Sequence, residues 1–275
     1  MPNPVDFMAP GFSSISRDFP GFLLDRPSKP ASPLAKGLAI IFLVAGYSLL
    51  CWLAFSKSIE NWESVYEFRI TFWNGWINTI GISAAALGLS LLIGIITALA
   101  RRSPFLPLRY SAAAYVETVR GLPLVVLVLF GFYGVANAVG WQDRLGVGIT
   151  ILSLFSGAYI AEMIRAGIES VSRSQWDSAR AIGLGSFQTY RFVIFPQVTR
   201  QILPPLAGQF SSIIKDSSLL YIIGIPELTF AANQVNSATY STFESFVPLG
   251  ICYLALTLPV SLWTKWIERR MRYET

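Results

Sequence analysis

The 275-residue chain contains no histidine, only two cysteines and few charges. Without histidine there are no imidazole metal ligands, no His general base and no His proton relay. A Ser-His protease is therefore excluded, and no plausible ligand set for a metalloprotease remains, so an enzyme is not expected. Cys51 and Cys252 both lie within apolar runs, which predicts buried thiols rather than a disulfide framework. Charged residues make up 13% of the chain, against about 25% in a soluble domain. No Gly-x-x-x-x-Gly-Lys-Ser/Thr phosphate loop occurs, so the chain does not bind and hydrolyse ATP by that route. No metal and no cofactor is expected in this chain.

Apolar residues are abundant. They form 53% of the sequence, and the mean hydropathy is +0.52. This composition predicts an all-α, polytopic membrane protein in which the length divides into spans rather than soluble domains. Six spans are expected, at 34–55, 76–100, 111–139, 146–168, 202–225 and 246–267. Ahead of them, residues 1–33 hold seven prolines and read as a loosely ordered tail, with a short interfacial segment near 19–24. The first apolar run has no small-residue cleavage site at its end, so it is expected to stay in place as a helix rather than act as a signal peptide. Residues 56–72 and 226–245 are polar connections, the latter with a short helix.

Positive charge is distributed unevenly. Of the 21 Lys and Arg, only Lys57, Arg69 and Arg144 fall in the loops of one side, and Arg120 and Lys215 fall within spans. The rest gather in the tail, after the second span, around residues 165–200 and at the C-terminus. That bias assigns both termini and the 165–200 region to the cytoplasm. The net charge of +5 is thus a topology signal and not a sign of nucleic-acid binding.

Ionisable residues at membrane depth are functional candidates by default. The third span holds Glu117 and Arg120, three apart and able to pair, with Gly121 and Pro123 weakening the helix just beyond. The fourth holds Glu162 and Arg165 at the same spacing. The fifth holds Lys215 and Asp216, which as helix neighbours point about 100° apart. Glu117, Arg120, Glu162, Lys215 and Asp216 are the candidate substrate-binding or translocation residues. Equally, they could pair with one another and hold the bundle together. Arg165, nearer the cytoplasmic end, is expected to anchor the loop that follows. Gly75, Gly81, Gly88 and Gly94 are spaced for close helix packing.

Residues 175–196 form the longest amphipathic, charge-bearing stretch between two apolar spans. They read as two short helices around a turn. Trp176, Ala179 and Ile182 would form an apolar edge, and Asp177 and Arg180 could face each other. Gly183 is expected to stop the first helix, and Gly185 to allow a second bend. Ser186 is the expected N-cap of the second helix, and Pro196 its end. A membrane-surface amphipathic helix is the alternative reading.

This segment resembles the "EAA" loop of bacterial ABC importer permeases, in which Glu-Ala-Ala is followed at fixed spacing by Gly and by Ile-x-Leu-Pro. Here the positions are taken by Asp177, Ser178 and Ala179, then Gly183, then Val193, Phe195 and Pro196. Spacing is kept throughout, but the first two residues depart from the pattern. Glu-Thr-Val-Arg-Gly-Leu-Pro-Leu at 117–124, Gly-Ala-Tyr-Ile-Ala-Glu-Met-Ile-Arg-Ala-Gly-Ile at 157–168 and Lys-Asp-Ser-Ser-Leu at 215–219 resemble the polar-amino-acid branch of these permeases, which import histidine, glutamine, glutamate, arginine and similar compounds.

The resemblance covers about residues 72–272. It implies a five-helix type I ABC importer core at 72–275, preceded by the tail at 1–33 and by an additional helix and periplasmic segment at 34–71. It also implies a bacterial inner-membrane location. Trp176, Asp177, Ser178, Ala179, Gly183 and Pro196 would form a coupling helix against a separate ATPase subunit dimer, which carries ATP and Mg. A periplasmic binding protein and a second permease chain, identical or not, complete the expected assembly. An ion-coupled secondary transporter is the alternative, although no convincing internal repeat of the kind common in that class is present. A purely structural anchor has no reason to bear the buried charges.

Overall fold

The computed structural model describes residues 33–55 and 62–271. The predicted tail, its segment near 19–24 and the chain end after Met271 lie outside these residues. Among the described residues every element is helical. The chain divides into two units between Ile59 and Glu60. The first contains α1 (Pro33–Phe55), whose described apolar stretch, Gly37–Leu49, is shorter than a membrane span. The side chain of Cys51 lies outside those described, while Cys252, in the second unit, is a half-buried free thiol.

The second unit begins with α2 (Trp62–Glu67), α3 (Arg69–Ala100) and α4 (Leu106–Gly121). Next come α5 (Leu124–Leu129), which continues as a π-helical turn over Phe130–Ala136, and α6 (Arg144–Glu169). The amphipathic stretch between α6 and the next long helix contains α7 (Arg173–Ala181) and α8 (Ser186–Gln188), the latter followed by a π-helical turn, Thr189–Ile194. The unit ends with α9 (Phe195–Asp216), a 3-10 helix (Ser217–Ile223), α10 (Leu228–Thr239) and α11 (Thr242–Met271).

The six expected spans are not all of one kind. Helices α3, α6 and α11 are each long and apolar enough to cross a membrane. The expected third span is not one helix: α4 and the Leu124–Ala136 segment meet at a bend of 113° and meet the criterion only together. The break follows from Gly121 and Pro123. Leu122 takes the extended conformation (φ −107°, ψ 143°) favoured before proline. Pro123 lacks an N–H, and its carbonyl accepts from Val126 and Leu127 to start α5. The expected fifth span is α9, 22 residues long with Pro204 and Pro205 inside it, followed by the 3-10 helix. It does not qualify on its own.

The core forms where α3 meets α6. A Cβ on Gly94 would lie 2.6 Å from Ile160 Cγ2, and one on Gly157 would lie 2.8 Å from Ile93 Cγ2. Each helix thus presents a glycine to the other's isoleucine. Gly75 makes a similar approach to α10, 3.1 Å from Leu228 Cα by the same measure. Gly81 and Gly88 face open space, so only two of the four glycines expected to pack closely do so. Gly94→Val should therefore force α3 and α6 apart and destabilise the chain by about 1–3 kcal/mol. Gly88→Val should change stability by less than about 0.5 kcal/mol. Denaturant unfolding of both variants in the same detergent checks the difference.

Candidate functional site

Glu162 of α6 gathers charges from three helices. Arg101, directly after α3, donates from Nη1 to its Oε2 at 2.8 Å. Arg165, one turn further along α6, donates from Nε to Oε2 at 3.0 Å and from Nη2 to Oε1 at 2.6 Å. Arg120 of α4 places Nη1 3.5 Å from Oε1, with its guanidinium over the Tyr159 ring at 5.4 Å. Arg165 also pairs with Glu169. The cluster therefore joins three cations to two carboxylates. The Glu162 side chain keeps 21% of its surface exposed.

The expected Glu162 and Arg165 pair forms; the expected Glu117 and Arg120 pair does not. Val116 sets the buried face of α4, packed with Ala158 and Ala161 of α6. Arg120, four residues on, shares that face and reaches Glu162. Glu117 is rotated about 100° away and is exposed. Lys215 and Asp216 close α9, Lys215 exposed and Asp216 half-buried. Among the described residues, no ion pair links either of them to the Glu162 cluster. Of the five candidates, this chain joins only Arg120 and Glu162. Glu162 lies seven residues before the end of α6, about 10 Å along the helix. Together with Arg101 at the end of α3, this places the cluster toward the membrane edge that carries α7, not at mid-depth.

The α7 region closes around a specific turn. Gly183 has φ +79°, donates to Arg180 O at 2.9 Å, and is followed by Leu184, which donates to Ala179 O at 3.0 Å. These two bonds make a Schellman ending, which needs a left-handed residue after the helix. Ala179 is buried. Trp176 packs edge-on against Tyr190 at 5.2 Å, and Trp176 also borders a core of Val171, Ile194 and Val198.

Several expectations for this segment need correction. Ile182 does not complete the apolar edge with Trp176 and Ala179, because it is 76% exposed; Phe187 beyond it is 80% exposed. No ion pair joins Asp177 to Arg180 among the described residues. Ser186 is the first helical residue and not the cap: Gly185 holds that position, and its N–H donates to the Gln188 side chain at 3.0 Å. Gly185 itself has φ −66°, so its turn makes no special demand for glycine. Pro196 does not end the second helix but sits in the first turn of α9. The π-helical turn before it widens the backbone ring where the proline would otherwise clash. Among the described residues, Arg165 bonds only within α6; one link from the end of α6 to the following region is the Ser170 hydroxyl, bonded to Gln201.

Sequence reasoning placed Glu227 in a polar outer loop and missed its role. Its side chain is fully buried and caps α10, accepting from Thr229 N at 2.8 Å and Phe230 N at 2.7 Å. Tyr253 Oη of α11 donates to it at 2.9 Å. Burial pushes its pKa up to about 7, against the lowering effect of those hydrogen bonds. The available signal was position: Glu227 follows Pro226 and precedes an apolar run. An acid whose pKa is raised on folding contributes stability that is full below its ordinary value near 4.5 and lost as pH rises through about 7. Stability should therefore fall from pH 5 to 7.5, and Glu227→Gln should flatten that slope. Thermal unfolding of both proteins across this range checks it.

The family described as "Binding-protein-dependent transport system inner membrane component" matches residues 90–273. The chain is similar to a probable glutamine ABC transporter permease protein, GlnM, of Bacillus subtilis (strain 168), 34% identical over 200 residues, covering 73% of this chain and 93% of that protein. It is also similar to the glutamine transport system permease protein GlnP of Escherichia coli (strain K12), 30% identical over 77% of this chain and 98% of that protein. Among solved structures, an amino acid ABC transporter crystallised with histidines matches with a TM-score of 0.72 and 32% identity, covering 77% of this chain and 99% of that one. A MetNI methionine ABC transporter, at 17% identity and a TM-score of 0.61, shares the fold.

Proposed function

Because the chain belongs to the family of binding-protein-dependent transport system inner membrane components, we propose that it is the permease subunit of an ATP-driven importer for a polar or charged amino acid. The relatives named above support that substrate class. The ion-coupled transporter, open as an alternative on sequence, finds no support among them.

In this reading two permease chains, identical or different, enclose the path, and a periplasmic binding protein delivers the amino acid to the outer mouth. An ATPase dimer carries ATP and Mg. The N- and C-termini and α7 face the cytoplasm, as the positive-charge bias supports. The observation that carries the coupling role is the projecting turn at Gly183, with Ile182 and Phe187 exposed beside a buried Ala179. An apolar tip held by a closed helix end suits insertion into a groove on a partner. ATP-driven closure of the partner would then move α7 and rock the spans between inward-open and outward-open states, and hydrolysis would reset them. Asp177, Ser178 and Pro196 would belong to the same contact region. Glu117, Lys215 and Asp216, outside the Glu162 cluster in this chain, remain the residues proposed to meet the substrate's ammonium and carboxylate.

Co-reconstitution with the ATPase and binding protein in proteoliposomes tests this. Uptake of one charge class of labelled amino acid should require ATP on the ATPase side. Uptake driven by an ion gradient without ATP would overturn the reading.

A further inference from the structure

Two cavities meet beside the coupling region. One, of about 650 Å³, lies between the ends of α3, α6 and α9 and is apolar, with walls that include Leu99, Ile164, Ile168, Phe195 and Val198. The other, of about 390 Å³, is polar and includes Arg102, Trp176, Arg180, Ser186 and Thr189. They share Arg102 and Tyr190. The Arg102 guanidinium donates to the Tyr190 hydroxyl at 3.2 Å, and Trp176 packs on the Tyr190 ring, so the junction is held in place. Among the described residues, no Asp or Glu lines either cavity.

This arrangement has the chemistry of an amphiphile with an anionic head. The apolar cavity runs along the last turns of two helices long enough to cross a membrane, α3 and α6, and Leu99 in its wall is 64% exposed. The polar cavity lies beyond the ends of those helices, on the side that the positive-charge bias assigns to the cytoplasm. Basic pockets between spans at that leaflet suit anionic head groups. A free phosphate would have no use for the apolar cavity. Arg102 and Arg180 in the polar cavity favour an anionic head group over an apolar protein segment.

We propose that the paired cavities bind one anionic phospholipid of the inner leaflet, its acyl chain between α3, α6 and α9 and its phosphate at Arg102 and Arg180. Arg102 follows α3, and Arg180 belongs to α7. The head group would therefore tie the coupling helix to the bundle, and anionic lipid would tune how firmly α7 is held. Only this last effect rests on the coupling role proposed above; the binding itself does not.

The test uses the assembled transporter, delipidated in detergent and titrated with phosphatidylglycerol or phosphatidylcholine under native mass spectrometry. Phosphatidylglycerol should bind at least tenfold more tightly than phosphatidylcholine. Arg102→Gln should reduce that preference at least fivefold. Leu99→Trp, which fills the apolar cavity from its open wall, should weaken both lipids. Equal binding of the two lipids, no binding to the assembled transporter, or an unchanged preference in Arg102→Gln would overturn the proposal. Displacement of the lipid by millimolar inorganic phosphate with no effect of Leu99→Trp would also overturn it and leave a simple anion site. Tight, Arg102-dependent lipid binding without any change in ATP hydrolysis between the two lipids would uphold the site and overturn the tuning of α7 by lipid.

Discussion

Replacing Gly183 with valine should cut substrate-stimulated ATP hydrolysis at least tenfold while the chain still inserts at normal levels. At φ +79° a side chain with a Cβ strains the backbone by about 1–2 kcal/mol, and a β-branched one fits worse still. The segment can escape that strain by opening the turn, which releases the bonds from Gly183 to Arg180 and from Leu184 to Ala179. Ile182 and Phe187, on either side of the turn, would then lose their fixed relation. No Cβ clash occurs at Gly183, which faces open space, so the effect is conformational and local. A graded series distinguishes it from a general surface effect. Asn, which tolerates the left-handed region, should retain more coupling than Ala, and Ala more than Val. Wild-type hydrolysis in the valine variant, measured with the binding protein and substrate present, would defeat the coupling role proposed for α7.

The second large effect is expected at Glu162. Glu162→Ala leaves Arg101, Arg120 and Arg165 facing one another without their shared carboxylate. Removing one partner of a buried pair costs about 3–5 kcal/mol. With 21% of the Glu162 side chain still exposed, solvent screening lowers the expectation to about 2–3 kcal/mol. Because Glu162 links α3, α4 and α6, the loss should appear as cooperative unfolding at lower denaturant rather than as local fraying. Arg101→Ala in the Glu162→Ala background should do less harm than in the wild type, giving a coupling energy of about 1 kcal/mol or more. Additive effects of the two substitutions would show that the ion pair contributes nothing to stability.

Much of this architecture was legible in the residues. Long apolar runs marked α3, α6 and α11, because a continuous helical span needs only length and composition. The break before Leu124 was visible in Gly121 and Pro123, and the turn at Gly183 in a glycine set against an amphipathic helix. Partners across helices were harder to read. Spacing of three made Glu117 a partner for Arg120, but which face of α4 is buried depends on where α6 lies, and Val116 decided that. Glu227 was hidden for a related reason. Its sequence neighbourhood looks like a solvated loop, and only the packing of α10 against α11, with Tyr253 from 26 residues away, buries it. Pro196 misled because a proline is tolerated in the first turn of a helix, where its missing N–H costs no bond, and here it opens α9.

The 113° bend also bears on how the chain enters the membrane. Helix α4 has 16 residues, about 24 Å at helical rise, short of the roughly 30 Å hydrocarbon core. It carries Arg109, Glu117 and Arg120, and beyond Gly121 its last carbonyls have no helical donors ahead of them. Such a segment is poorly suited to partition into lipid by itself, since exposed backbone at that depth is tolerated only against protein. Its insertion should therefore depend on α3 and α6 being in place first, the one closing beside it and the other offering Glu162 to Arg120. Biogenesis of this bundle would then be cooperative at its third span. A chain cut after α5 should leave that span unanchored, while one extended through α6 should secure it.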